Sequence, residues 1–346
     1  MTFVGPGRIG RTIPFFDKDR RRTMVPAARL RFARMVLALC AGACAAVVWP
    51  ALAATTPSDA AAASDRRGNE LVLGRVSDNP KVDYERLRAM LDYVVPHMAE
   101  VGIVSGRVLM ARDSQQMVSY LKRGKVDWVT ETAGSAMTLQ DRASARLLLA
   151  AERAGTNAYQ SVLFSRRDSG IATLADLRGR SIAFQSGAST SSYFLPASEL
   201  LQAGLPLAIL ASPSDRPAKD MVGFVFARSE LNISAWVHKG LVDAGAFSDQ
   251  DWRNLERLPE SYRDDLVVFH RTEFVPRALE LVRGDLDPAI EARLRDVLVG
   301  AGSDPAAAQS MRSYYQSTAF LELNEPMRAA LATLRDGVAR IRAEVE

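Results

Sequence analysis

Cysteine is almost missing: the 346 residues hold two, Cys40 and Cys44, both inside one apolar stretch near the start. A chain released from that stretch carries no thiol, which excludes disulfides, thiolate metal sites and cysteine nucleophiles. Histidine is nearly as scarce. His97, His238 and His270 stand in no spacing that metal binding requires, and none partners a serine or threonine as a general base. His97 and His238 fall within helical patterns and read as surface or core groups, while His270 with Arg271 reads as a brace or, through the guanidinium, as an anion contact. No metal, no cofactor and no catalysis are therefore expected. The chain also lacks a long internal repeat and a low-complexity core segment. Its hydrophobic fraction of 48% and charged fraction of 24% are those of an ordinary globular protein, long enough for two domains.

The first fifty-odd residues stand apart. Arg29, Arg31 and Arg34 precede the apolar run Met35 to Ala53, which closes on Ala51-Leu52-Ala53, the small-x-small pattern of a signal-peptidase site. Residues 1–53 thus read as a secretory leader with export to the periplasm, and Met24 is a plausible true start. A single membrane-anchoring helix is the alternative, against which stand Gly42, Pro50 and the cleavage pattern. Arg20 to Arg22 invite a twin-arginine reading without the apolar residues that should follow. Ala41-Gly42-Ala43 before Cys44 half satisfies a lipid-anchor pattern. The leader carries nine basic residues against Asp17 and Asp19, so without it the formal charge changes from +4 to about −3. The basicity belongs to the leader, and nucleic-acid binding loses its support.

Residues 54–67, rich in Ala, Thr, Ser and Asp, read as a disordered lead-in. From Glu70 strand and helix signals alternate. Strands are expected at Leu71–Val76, Arg107–Met110, Val126–Val129, Leu147–Ala151 and Ser161–Ser165. Helices are expected where Tyr84, Leu87, Met90, Leu91, Val94 and Val95 recur, and over Gln115–Arg123. This order predicts parallel sheets with right-handed crossovers. A turn of helix stopped at Gly179 feeds a strand at Ile182–Phe184; a βα-like unit covers Gly223–Ala246, with a strand from Leu241; Val267–His270 is a late strand. From Asp287 onward the pattern is mostly amphipathic helix.

The most informative segment is Ser181 to Pro196, SIAFQSGASTSSYFLP. It reads as a buried strand running into a hydroxyl-rich loop that opens a helix. Gly187 permits close backbone approach, and Ser189, Thr190, Ser191 and Ser192 place hydroxyls beside the unpaired N–H groups of a helix start, an arrangement suited to an anion. A well-capped helix after a strand is the plainer reading. Two α/β lobes, export and an anion loop together point to a hinged clamshell with its ligand at strand C-termini between the lobes.

Several runs carry a likeness: GKVDWVTETAGSA at Gly124–Ala136, YQSVLFSRRDS at Tyr159–Ser169, LADLRGRSIAFQSGASTSSYFLP at Leu174–Pro196, NISAWV at Asn232–Val237, GLVDAGAFSDQDW at Gly240–Trp252 and HRTEFVPRALELVRGDLDP at His270–Pro288. In this order the chain resembles the phosphate-, phosphite- and phosphonate-binding proteins of ABC importers. The resemblance implies a type II periplasmic-binding clamshell: lobe one from residues 68–152 and 269–346, lobe two from 153–268, and two crossovers near Glu152–Ala158 and Asp264–Arg271. It also implies that Ser189, Thr190 and Ser191 bind ligand oxygens and that Thr130, Glu131, Thr132 and Ser135 face them from lobe one. Two departures touch the site: Ala133-Gly134 replaces Pro-Phe, and Gln185-Ser186 replaces Asp-Pro before Gly187.

Other residues have two readings. Glu131 would repel a dianion unless a proton or cation intervenes, or it caps the next helix and points away. Asn232 and Trp236 share a helical face, Trp236 as ligand platform or core filler. Tyr193 closes over the ligand or packs within its own lobe, and Asp243 reads as a strand-end structural carboxylate. The implied function is a monomeric periplasmic receptor that binds phosphate, phosphite or a small phosphonate and delivers it to an ABC permease in the inner membrane. A sensing module serving a membrane kinase or chemoreceptor is the alternative.

Overall fold

A computed structural model describes residues 68–345; the leader, its Cys44 and the lead-in lie outside the described residues. Two six-stranded sheets organise the fold. The first runs, in spatial order, β14 (Ser317–Leu321), β4 (Arg146–Arg153), β13 (Leu279–Val282), β3 (Trp128–Glu131), β1 (Glu70–Val76) and β2 (Ser105–Ala111). The second runs β11 (Leu266–Arg271), β6 (Ser161–Arg166), β10 (Ala244–Ser248), β7 (Ser181–Phe184), β9 (Val222–Phe226) and β8 (Leu207–Ile209). Between them, β5 (Ala158–Tyr159) and β12 (Val275–Pro276) pair as a short antiparallel ribbon. Each sheet anchors one α/β lobe.

The central strands are buried on both faces because helices cover both sides. β3 and β7 are buried at every residue, and β1 is buried from Leu71 to Gly74. Helix α1 (Pro80–Val94) starts on a proline, which has no N–H to leave unpaired, and turns Leu87, Met90, Leu91 and Val94 inward at helical spacing. Helix α2 (Ser114–Lys122) is capped by Asp113, whose carboxylate accepts from the Gln116 N–H at 2.7 Å. Helix α3 (Ala133–Ala143) follows β3 directly. After β7 the chain makes a wide turn over Thr190–Phe194, in which the Phe194 and Leu195 N–H groups reach back five residues to Ser189 and Thr190, and then enters α4 (Leu195–Gln202). Helix α5 (Glu230–His238) covers the second sheet, α6 (Pro288–Ala301) the first. Helix α7 (Glu325–Glu344) sends Leu331, Leu334, Val338 and Ile341 into a core shared with Ala136 and Met137 of α3 and with Ala197 and Leu200 of α4. It thereby straps one lobe to the other.

The sheets depart from the all-parallel expectation in a systematic way. β1, β2 and β3 are parallel, as are β7, β8 and β9. β13 runs antiparallel to β3 and β4, and both β10 and β11 run antiparallel to β6. Strands added after a hinge crossing enter from the opposite end of the sheet, and their direction reverses. β14 lies within the stretch expected to be helical; its five residues are too few for a strand pattern to stand out, and it is held by pairing with β4. The strand expected from Leu241 begins at Ala244, because Asp243 is drawn to Ser181, whose N–H and Oγ both donate to its carboxylate at 2.8 Å. β11 stays paired with β6 through Arg271. The return crossing therefore falls at residues 272–278, after the Asp264–Arg271 stretch expected for it.

Candidate functional site

A cleft of about 1080 Å³ lies between the two lobes. Its walls are strand ends, as the crevice rule for α/β sheets requires. Lobe one contributes Arg75 and Val76 at the end of β1, and Glu131, Thr132 and Ser135 where β3 passes into α3. Lobe two contributes the loop from Gln185 to Ser191, Arg228 after β9 and Ser248 at the end of β10. Tyr159 and Arg277, beside the hinge ribbon, close its inner end. The Arg277 guanidinium sits 4.9 Å from the Tyr159 ring centre, and its Nε donates to Gln250 Oε1 at 3.1 Å.

The structure brings together on this cleft Gly187, Ser189, Thr190 and Ser191 from one side and Glu131, Thr132 and Ser135 from the other. Two hydrogen bonds join the start of α3 to the lobe-two loop. The Gly134 N–H donates to Thr190 Oγ1 at 2.8 Å, and Ser135 Oγ donates to the Ala188 carbonyl at 3.1 Å. The start of each helix after the two central strands thus touches the other lobe. Gly134 has no side chain for a reason: a Cβ there would collide with the Phe194 ring, lying 3.0 Å from its Cγ and 3.1 Å from its Cε2.

Other expected site residues are absent from the cleft walls. Thr130 is buried behind them, where its hydroxyl donates to Glu280 Oε1 at 2.8 Å and accepts from Arg153 Nη2 at 2.8 Å. Ser192 turns inward: its Oγ donates to the Ala246 carbonyl and accepts from the Gln185 N–H. Tyr193 packs in an aromatic cluster with Phe184, Phe194, Phe224 and Phe226. Asn232 is exposed, its amide nitrogen donating to the Ala227 carbonyl at 2.8 Å, and Trp236 packs on the core of the second lobe. Arg271 is exposed, and His270 Nε2 lies 3.3 Å from Glu199 Oε2.

Glu131 is held on the cleft wall by backbone donors. Its Oε1 accepts the Val76 N–H at 2.7 Å, tying β3 to β1, and the Thr132 N–H also donates to it. Burial raises its carboxyl above the ordinary range, against the opposing pull of Arg75 and these two donors. Behind it lies a second buried carboxylate, Glu280, which accepts from Trp128 Nε1 at 2.6 Å and Tyr314 Oη at 3.0 Å as well as from Thr130. Burial and the nearby Arg75 lower Arg153 to about 10. Arg75 and Arg153 stack on the Tyr315 ring at 4.5 and 4.4 Å from its centre. Charges behind the β1 and β3 end of the lobe-one wall are therefore compensated locally.

Sequence reasoning missed the arginines. Arg75 had a signal, a cation at the C-terminal end of a predicted strand. Arg277 and Tyr159 had none, since only the hinge crossing brings them to the cleft.

A family model, the periplasmic substrate-binding protein of phosphonate ABC transporters, matches residues 76–326. The chain belongs to this family. Two solved structures of XAC2383 from Xanthomonas citri, one bound to chloride and one to ATP, are 47% identical to this substrate-binding protein and superpose with a TM-score of 0.77, covering 80% of it and 99% and 100% of their own chains. PhnD1 from Prochlorococcus marinus in complex with methylphosphonate, at 16% identity and a TM-score of 0.59, shares the fold over 80% of this chain and 99% of its own. Family membership makes this a periplasmic transport component with the two-lobed binding-protein fold rather than a member of an enzyme class.

Proposed function

We propose that this protein is the receptor of an ABC importer, exported through a cleaved leader, and that it holds a phosphorus oxyanion in the interlobe cleft for delivery to an inner-membrane permease. One observation carries the reading: the hydroxyl-bearing loop Ser186 to Ser191 opens a helix onto the cleft wall, opposite Thr132 and Ser135. Hydroxyls and the N–H groups of a helix start satisfy an oxyanion without a formal ion pair. Closure excludes water and strengthens each of those contacts, and no bond is made or broken. The hydroxyls of Ser189 and Ser191 and the backbone N–H groups of Gly187, Ala188, Thr190 and Ser191 are the lobe-two donors, while Thr190 Oγ1 and Ser135 hold the lobes together. The ATP complex of the Xanthomonas citri protein extends the candidate solutes from phosphate, phosphite and methylphosphonate to phosphate esters.

A thermal-unfolding screen of the purified protein against phosphate, phosphite, methylphosphonate, ATP, sulfate and amino acids tests the reading. A bound solute at about 100 times its Kd stabilises by about 2.7 kcal/mol, which raises the midpoint by roughly 5–10 °C. A shift with a phosphorus anion and none with sulfate or amino acids is expected. A shift produced only by a solute without phosphorus would overturn it.

A further inference from the structure

The cleft is far larger than one tetrahedral oxyanion needs. At about 1080 Å³ it stands at the top of the range for drug-sized ligands. Its lobe-two wall follows the ends of β10, β7 and β9, which at ~4.8 Å per strand is roughly 10 Å of edge. A single phosphate is about as wide as one such step.

Charge on these walls is also in excess and unevenly committed. Seven arginines and five carboxylates line the cleft. Of the carboxylates, Asp113 caps α2, Asp251 accepts from Ser248, and Glu131 accepts from Val76. Among the described residues Arg142, Arg228 and Arg277 make no ion pair, whereas Arg257 lies 3.9 Å from Glu230 and Arg112 lies 3.2 Å from Asp113.

Position adds the decisive constraint. Ser135, Thr138 and Arg142 lie on one face of α3 and all line the cleft. Seven residues separate Ser135 from Arg142, about 10 Å along the helix axis. Arg342, from the last turn of α7, donates to Thr138 Oγ1, which fixes a second guanidinium on the same wall. The cleft therefore has two anion loci: the hydroxyl loop at the start of α3, with Arg277 behind it, and the Arg142–Arg342 pair at the far end. The planar donor fork of arginine suits phosphoryl and carboxylate groups bidentately.

We propose that the natural ligand is an extended polyanion, a solute with a terminal phosphoryl group on the Ser189–Ser191 loop and at least one further anionic group held by Arg142 and Arg342, whose long side chains reach back along α3 toward a chain of triphosphate length. The proposal rests on the receptor reading above and narrows its substrate class.

Calorimetric titration of the full protein with inorganic phosphate, pyrophosphate, tripolyphosphate and ATP tests it. Tripolyphosphate and ATP are expected to bind at least a hundredfold more tightly than phosphate, with pyrophosphate between. The two long probes separate sources: equal affinity assigns recognition to the polyanion chain, and tighter ATP binding adds the nucleoside. Arg142→Gln with Arg342→Gln should weaken tripolyphosphate at least tenfold and leave phosphate unchanged. Arg142→Gln alone, at an exposed position, gives a smaller loss in the same direction without risk to folding. Phosphate binding as tight as tripolyphosphate, or arginine variants that weaken both probes equally, overturns the polyanion while leaving the receptor intact. Binding of no phosphorus anion at all overturns the receptor reading and this proposal with it.

Discussion

Gly134 sits at a tight point of contact between the lobes. Within lobe one, Gly134→Ala is favourable, because alanine in a helix is worth about 0.5–1 kcal/mol over glycine. Between the lobes it is costly. The new methyl group would press into the Phe194 ring, whose Cγ and Cε2 lie 3.0 and 3.1 Å from its position, and would push apart the helix start whose N–H holds Thr190 Oγ1 at 2.8 Å. Overpacking of this kind costs about 1–3 kcal/mol, and only the closed state bears it. Closed and open populations, and with them apparent affinity, should therefore shift about 5- to 150-fold toward open. Small-angle scattering should show a larger radius of gyration for the variant, and titration with tripolyphosphate a correspondingly weaker Kd. Phe194→Ala in the same chain should restore closure by removing the obstacle. Unchanged scattering and affinity in Gly134→Ala, or a double variant no better than the single, refutes the reasoning.

Ser192→Ala should lower the unfolding midpoint of the free protein, because it removes the hydroxyl donated to the Ala246 carbonyl and one of the two acceptors of the Gln185 N–H, a loss of about 1 kcal/mol; an unaltered midpoint would show that these bonds contribute nothing. Thr190→Val should weaken ligand binding through closure, whereas Thr190→Ser, which keeps the acceptor for Gly134, should bind nearly as the wild type does; equal losses in both variants would contradict this. Trp236→Ala should reduce stability without changing ligand affinity, since the ring packs on the second-lobe core away from the cleft, and reduced affinity at unchanged stability would place it back in the site. Burial raises the Glu131 pKa above its ordinary 4.5, so on acidification the folded protein binds this proton before the unfolded chain does. The Glu131 contribution to stability then increases as pH falls through the folded pKa toward 4.5 and is lost as pH rises. Unfolding midpoints of wild type and Glu131→Gln, measured from pH 7 down to 4.5, should diverge in favour of wild type, and a constant gap would contradict the shift.

Local pattern carried the elements that depend on local pattern. The α1 stripe of Leu87, Met90, Leu91 and Val94 has the helical period and forms the expected face, and SIAF, apolar and short, is a fully buried strand. The loop from Gly187 to Ser191 opens on the cleft because the C-terminal ends of parallel strands lie on one edge of a sheet. What local pattern did not carry was set by long-range geometry. Glu131 ties to Val76 across 55 residues, and Thr130 belongs to a buried network reaching Glu280. Thr190, a natural ligand donor by its place in the loop, accepts instead from the opposite lobe. Tyr193 and Trp236 are aromatic and amphipathic enough for either role, and packing drew both into cores. The arginine walls went unread because α7 and the hinge, distant in sequence, deliver Arg342 and Arg277 to the cleft.

A crystal structure of the exported protein with tripolyphosphate bound tests the central claim most directly. The account predicts a phosphoryl group within hydrogen-bond distance of Ser189 and Ser191, between closed lobes. Density for the anion anywhere outside the interlobe cleft, with the Ser189–Ser191 loop facing only solvent, would contradict it.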